Sequence, residues 1–105
     1  MARIDTGIID TTLDPAAELA SLAGADLSAG GVASFLGQVR QEDGLTALEL
    51  EHYPGVTDQA LARIARTAAQ RWQLDRAVIH HRVGRMTPGE PIVFVGATAP
   101  PTTPP

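Results

Sequence analysis

Apolar residues recur along this chain at two different periods, and the changes of period mark its elements. Between Thr57 and Trp72, the residues Ala60, Leu61, Ile64, Ala65, Ala68 and Trp72 fall at helical spacing and form one apolar stripe. Arg63, Arg66, Gln70 and Arg71 lie largely outside it. The pattern predicts an amphipathic helix with Thr57 as its N-cap. If the stripe is core, Leu61→Ala or Ile64→Ala should cost about 2–5 kcal/mol. From Leu45 to Tyr53 the period shortens to two. Leu48, Leu50 and His52 share one face and Glu49 and Glu51 the other, as in a half-buried strand.

The remaining elements follow from shorter signals. Ile4 to Ile9 reads as a first strand. Asp14-Pro15 is a helix start, because Asp can cap free amides and Pro fits the first helical position. That helix should end near Leu22, before Gly24. Val32 to Val39 is rich in β-forming residues and is expected to be a buried strand. With Gln41-Glu42-Asp43-Gly44 as the turn, it should form a hairpin with the strand after it. Arg76 to Val83 reads as a strand ended by Gly84, Thr87 to Glu90 as a turn, and Ile92 to Val95 as an apolar strand. From Thr98 on the pattern collapses, since Pro lacks a ladder donor and fixes φ. The expected organisation is one domain over residues 1–97 and a Pro/Thr-rich disordered tail over 98–105. The order β-α-β-β-α-β-β makes this an α+β domain of two layers, with two helices on a mixed, mostly antiparallel sheet.

Composition narrows the chemistry. The chain has 105 residues, enough for one modest core. It holds no cysteine, which excludes disulfides, thiolate metal sites and Cys nucleophiles. No apolar run reaches the roughly 20 residues of a membrane span, and the N-terminus lacks a signal-peptide core, so a cytoplasmic protein is expected. Residues 1–51 carry two Arg against nine acids, and residues 52–105 carry six Arg against three acids. The net charge of −4 argues against broad nucleic-acid binding, which needs a large basic face, yet leaves room for a local anion site. All eight basic residues are Arg, so no amine chemistry of the lysine type can come from these residues. His80 and His81 are neighbours in a strand and must point to opposite faces, so they cannot chelate one metal together. No metal and no cofactor is expected.

Four stretches resemble the large, catalytic subunit of molybdopterin synthase. They are Gly31-Val32-Ala33-Ser34-Phe35-Leu36-Gly37-Gln38-Val39-Arg40, then Leu48 to Thr57 (LELEHYPGVT), then Arg71-Trp72, and finally His81-Arg82-Val83-Gly84 with Pro88-Gly89-Glu90 and Ile92-Val93-Phe94-Val95-Gly96. The resemblance covers about residues 29–98. Val56 stands where that family usually has Met.

The resemblance implies an α/β hammerhead fold and a role in molybdenum cofactor biosynthesis. It implies a homodimer within a heterotetramer, partnered by a small ubiquitin-like subunit with a C-terminal Gly-Gly thiocarboxylate. Sulfur would pass from that thiocarboxylate to cyclic pyranopterin monophosphate, making molybdopterin without a metal. Arg40 is the implied contact to the anionic pterin, a task suited to a bidentate guanidinium; the alternative is a surface pair with Glu42 or Asp43. Gln38 and Val39 are expected to add side-chain and backbone contacts. Phe35 is a candidate pocket-lining residue, although an apolar strand residue is more often core. The family's late lysines and its His-Arg pair have no counterpart here, as Thr98-Ala99-Pro100-Pro101 occupies that place. The expectation is therefore the fold family with no catalytic residue present, by truncation, frame shift or loss in a paralogue. The competing functional reading is a non-catalytic binding or assembly module, or a non-functional fragment.

Overall fold

A computed structural model describes residues 2–101. Its elements are β1 (Arg3–Ile9), α1 (Pro15–Leu22), β2 (Gly31–Gln38), β3 (Leu48–Leu50), α2 (Val56–Trp72), β4 (Arg76–Arg82), β5 (Gly84–Met86) and β6 (Pro91–Ala99). The main sheet has the order β1-β4-β6-β2. β1 runs parallel to β4, whereas β6 is antiparallel to both β4 and β2. The α+β class, with two helices on a mixed and mostly antiparallel sheet, is as expected.

The helices lie on opposite faces of that sheet, so the layering is helix–sheet–helix rather than two layers. Strand alternation decides this. Val78 of β4 joins Leu13, Leu22 and Phe94 in the core beneath α1. Its neighbours Ala77 and Ile79 join Ala65 and Ala69 of α2 on the other side. α1 starts where the sequence suggested: the Asp14 carboxylate accepts from Ala16 N at 3.1 Å and Ala17 N at 3.2 Å, with Pro15 in the first turn. The helix approaches β6 at Gly96, where a methyl group would sit 2.6 Å from Leu22 Cδ2 and 3.0 Å from the Phe94 ring.

Several expectations need correction. The hairpin between β2 and β3 does not form: β2 pairs with β6, and β3 pairs with β5 in a separate two-stranded sheet. β5, just past the Gly84 expected to end the preceding strand, is an element that the sequence did not indicate, and it makes few contacts with the main body. β2 is not a buried strand. It forms the outer edge of the sheet, and most of its residues are exposed. The apolar stripe of α2 is split. Ala65 of that stripe faces the sheet, joined by Ala69 from outside it, while Ile64 and Trp72 are exposed. Ala65 and Ala69 pack there with Ala77, flanked by Ile4, Leu74 and Ile79. Thr57 is not the N-cap. Gly55 holds that position, and Thr57 Oγ1 accepts from Tyr53 N at 3.1 Å. The strand expected over Leu45 to Tyr53 is shorter, Leu48–Leu50, and Tyr53 is largely exposed. Finally, β6 continues through Thr98 and Ala99, with Thr98 buried. Its partners Val32 and Gly31 on β2, and Arg76 on β4, supply the ladder that the local pattern could not reveal. Residues 102–105, in the expected tail, lie outside the described residues.

Candidate functional site

The candidate residues sit at the C-terminal end of β2. Arg40 lies two residues past the end of the strand and stands in open solvent, its side chain 85% exposed. Its nearest acid is Glu42, at 3.8 Å between Nε and Oε1. A pair this long and exposed holds the guanidinium weakly and leaves it free for an anion. Gln38 is also exposed, at a point where the register with β6 shifts. Phe35 is not core: it is 62% exposed and lines a shallow depression with Ala33, Val95 and Ala97. Its ring lies over Gly37, where an added methyl would meet Phe35 Cε1 at 3.7 Å and Val93 Cγ1 at 2.8 Å.

Val39 departs from expectation. Its side chain is buried, 2% exposed. Its N–H donates to Glu90 O at 2.9 Å, and its C=O accepts from Gly89 N at 2.8 Å. With both backbone groups and the side chain committed, Val39 has nothing to offer a ligand. It instead ties the strand end carrying Arg40 to the turn Thr87–Glu90.

That turn is built around one carboxylate. Glu90 accepts from Thr87 N at 2.6 Å, from Arg82 Nη1 at 2.8 Å and from Thr87 Oγ1 at 3.1 Å. The Thr87 amide, then Arg82 and the Thr87 hydroxyl, stabilise its charged form and push its pKa down to about 2. Gly89 takes φ +93°, a conformation open to glycine at little cost. Arg82 is itself buried and donates a second bond to Arg85 O at 3.2 Å. The sequence displays His81-Arg82 and Pro88-Gly89-Glu90 as motifs, but nothing local in it indicates that the second holds Val39.

A second charged cluster lies under α1. His80 Nδ1 is 2.6 Å from Glu18 Oε2, and its Nε2 is 3.1 Å from Asp5 Oδ1. Both ring nitrogens can donate only in the imidazolium form. Burial works against that charge, but the hydrogen bonds to Asp5 and Glu18 outweigh it and raise the His80 pKa. Asp5 shifts down: its partial burial opposes ionisation, and His80 and Arg76 more than compensate. Arg76 also donates to Ser21 O at 3.0 Å. As expected from alternation, His81 points the other way, with Nδ1 2.9 Å from Arg82 O. Among the described residues, no group of three His, Cys, Asp or Glu is placed to hold a metal ion, and no helix is long and apolar enough to cross a membrane.

Comparison with known proteins decides the family. The model of the MoaE protein family matches residues 8–102. The chain belongs to the MoaE family. The molybdopterin synthase catalytic subunit of Pseudomonas aeruginosa is 49% identical over 89 residues, covering 82% of this chain and 59% of that protein. The corresponding subunit of Escherichia coli is 49% identical over 73 residues, covering 67% of this chain and 49% of that protein. The chain thus spans about half the length of the MoaE relatives it matches. Among solved structures, molybdopterin cofactor biosynthesis protein E from Burkholderia multivorans superposes with a TM-score of 0.79 at 42% identity, covering 92% of this chain and 64% of that one. One chain of the complex of subunits 1 and 2 of molybdopterin-converting factor from Helicobacter pylori gives a TM-score of 0.78 at 18% identity, covering 90% of this chain and 65% of that one, which speaks to the MoaE fold alone.

Proposed function

We propose that these residues form the pterin-holding part of a molybdopterin synthase catalytic subunit, working in the cytoplasm. In this reading a small ubiquitin-like subunit delivers sulfur from its C-terminal thiocarboxylate to cyclic pyranopterin monophosphate, within a heterotetramer built on a dimer of the large subunit. Membership of the MoaE family across residues 8–102 is the observation that carries the proposal. Arg40 is the anion contact, exposed and weakly paired at the end of β2. A guanidinium can grip the substrate phosphate through two parallel N–H bonds. Gln38 and Phe35, both exposed nearby in sequence, supply a polar and an apolar contact.

Attack on the thiocarboxylate builds negative charge that a cation must stabilise. The 105 residues contain no lysine, so they do not furnish an amine for that step. Lacking one preorganised donor of this kind typically costs roughly 3–4 kcal/mol, or about 10²–10³ in rate. We therefore expect this polypeptide by itself to bind the pterin and to turn it over negligibly. The test mixes it with thiocarboxylated small subunit and cyclic pyranopterin monophosphate. Arg40-dependent pterin binding with negligible turnover supports the reading; normal turnover, or binding unchanged in Arg40→Ala, overturns it. The intact sheet and helices favour a second reading, a non-catalytic assembly module, which predicts capture of the small subunit without any pterin binding.

A further inference from the structure

We propose that Arg82 and Glu90 are positioning residues for the Arg40 anion site, acting through the turn Thr87–Glu90 and the backbone of Val39. The proposal rests on the reading of Arg40 as the substrate contact.

The argument follows a chain of hydrogen bonds. Among the described residues Arg40 has one ionic neighbour, Glu42 at 3.8 Å, too long a contact to fix it. What sets the direction in which it leaves the sheet is Val39, buried and bonded on both sides to the turn: N–H to Glu90 O at 2.9 Å, C=O to Gly89 N at 2.8 Å. The β2–β6 ladder cannot do this alone, because its register shifts between Gly37 and Gln38 and the partner of Gln38 is Pro91, which has no N–H. The turn is in turn held by the Glu90 carboxylate, which accepts three hydrogen bonds, one from the buried Arg82. Arg82 is anchored from the opposite side by Arg85 O at 3.2 Å. The Arg82–Glu90 pair therefore stands behind the strand end that presents Arg40, without facing a ligand itself. Fixing that end beforehand lowers the ordering cost of gripping a phosphate with a long, mobile side chain.

The experiment uses the full chain and inorganic phosphate as probe, followed by ¹H–¹⁵N NMR at the Arg40 side chain and the backbone of residues 38–41. Amide hydrogen exchange at Val39 and Gly89 and Tm are read in parallel. Variants are Arg40→Ala, Glu90→Ala, the milder Glu90→Gln, Arg82→Lys and, as control, Arg85→Ala, which keeps the carbonyl that Arg82 uses. Arg40→Ala should abolish the phosphate response. Glu90→Ala should weaken phosphate binding about five- to tenfold and speed exchange at Val39 and Gly89, with Glu90→Gln and Arg82→Lys intermediate and Arg85→Ala unchanged. Affinity unchanged in folded Glu90→Ala and Glu90→Gln, whatever their Tm, overturns the positioning role: a merely structural pair lowers stability without touching affinity. If Arg40→Ala leaves phosphate binding intact, the underlying assignment of Arg40 fails instead, and with it the role claimed for the pair. If Glu90→Ala does not fold, Glu90→Gln and Arg82→Lys decide.

Discussion

Replacing His80 by Ala opens the clasp that joins three elements. The imidazolium bridges Glu18 of α1 at 2.6 Å and Asp5 of β1 at 3.1 Å, with His80 itself on β4 and its side chain 19% exposed. A hydrogen bond to a charged group contributes roughly 1.5–3 kcal/mol. Two such bonds set the upper bound, and the half-exposed Asp5 must be discounted for solvent screening. His80→Ala should therefore cost about 2–4 kcal/mol near pH 6, out of a total that for a domain of this size is about 5–15 kcal/mol. The drop in Tm should be on the order of 10–20 °C.

The pH dependence gives the sharper test. The His80 pKa is raised by its carboxylate partners, so its contribution is complete below the ordinary imidazole value of 6.5 and is lost as pH climbs through the folded value. Asp5 runs the opposite way. Its pKa is lowered, so its contribution is present above the ordinary 3.8 and is lost as pH falls through the folded value. The clasp is thus strongest between 3.8 and 6.5. Once neutral, the ring can donate from only one nitrogen and turns a lone pair toward the other carboxylate. Urea unfolding followed by far-UV circular dichroism, run from about pH 5 to about pH 9.5 on the native chain and on His80→Ala, measures the difference. It should shrink steadily above neutrality. A penalty that stays constant across that range, or one below about 0.5 kcal/mol at pH 6, refutes the imidazolium bridge.

Other perturbations are expected to sort by burial. Leu13→Ala removes a side chain that is almost wholly enclosed beneath α1 and should cost about 2–5 kcal/mol by chemical unfolding. Ile64→Ala, in contrast, should cost less than about 1 kcal/mol, because Ile64 is exposed on the outer face of α2; a core-sized loss would mean that this face is covered in solution. Gly96→Ala places a methyl 2.6 Å from Leu22 Cδ2 and should destabilise by about 1–3 kcal/mol by chemical unfolding, and that increment should be smaller when measured in a Leu22→Ala background, which is itself less stable through loss of a core side chain.

Much of this molecule was legible from short stretches of sequence. Asp14-Pro15 marked the start of α1, the 3.6-residue period located α2, and alternation placed His80 and His81 on opposite faces. The order and spacing of the motifs from Gly31 to Gly96 pointed to the family that the comparisons then showed. These are local properties: capping, periodicity and glycine punctuation act over a few residues and so can be read from a few residues. Burial in the sheet could not be read this way. β2 has the composition of an interior strand and lies at an edge. Thr98 and Ala99 look like the start of a tail and lie in a ladder. Ile64 and Trp72 belong to an apolar stripe and face water. The same holds for Val39, which seemed to offer a ligand contact until Glu90 and Gly89, some fifty residues away in sequence, took both of its backbone groups. Sequence by itself determined which segments become helix or strand and which residue types are available for chemistry, because those depend on the backbone and on composition. Only the tertiary structure decided which faces are covered and which carboxylate meets which cation, because both depend on strands and helices distant in sequence coming together.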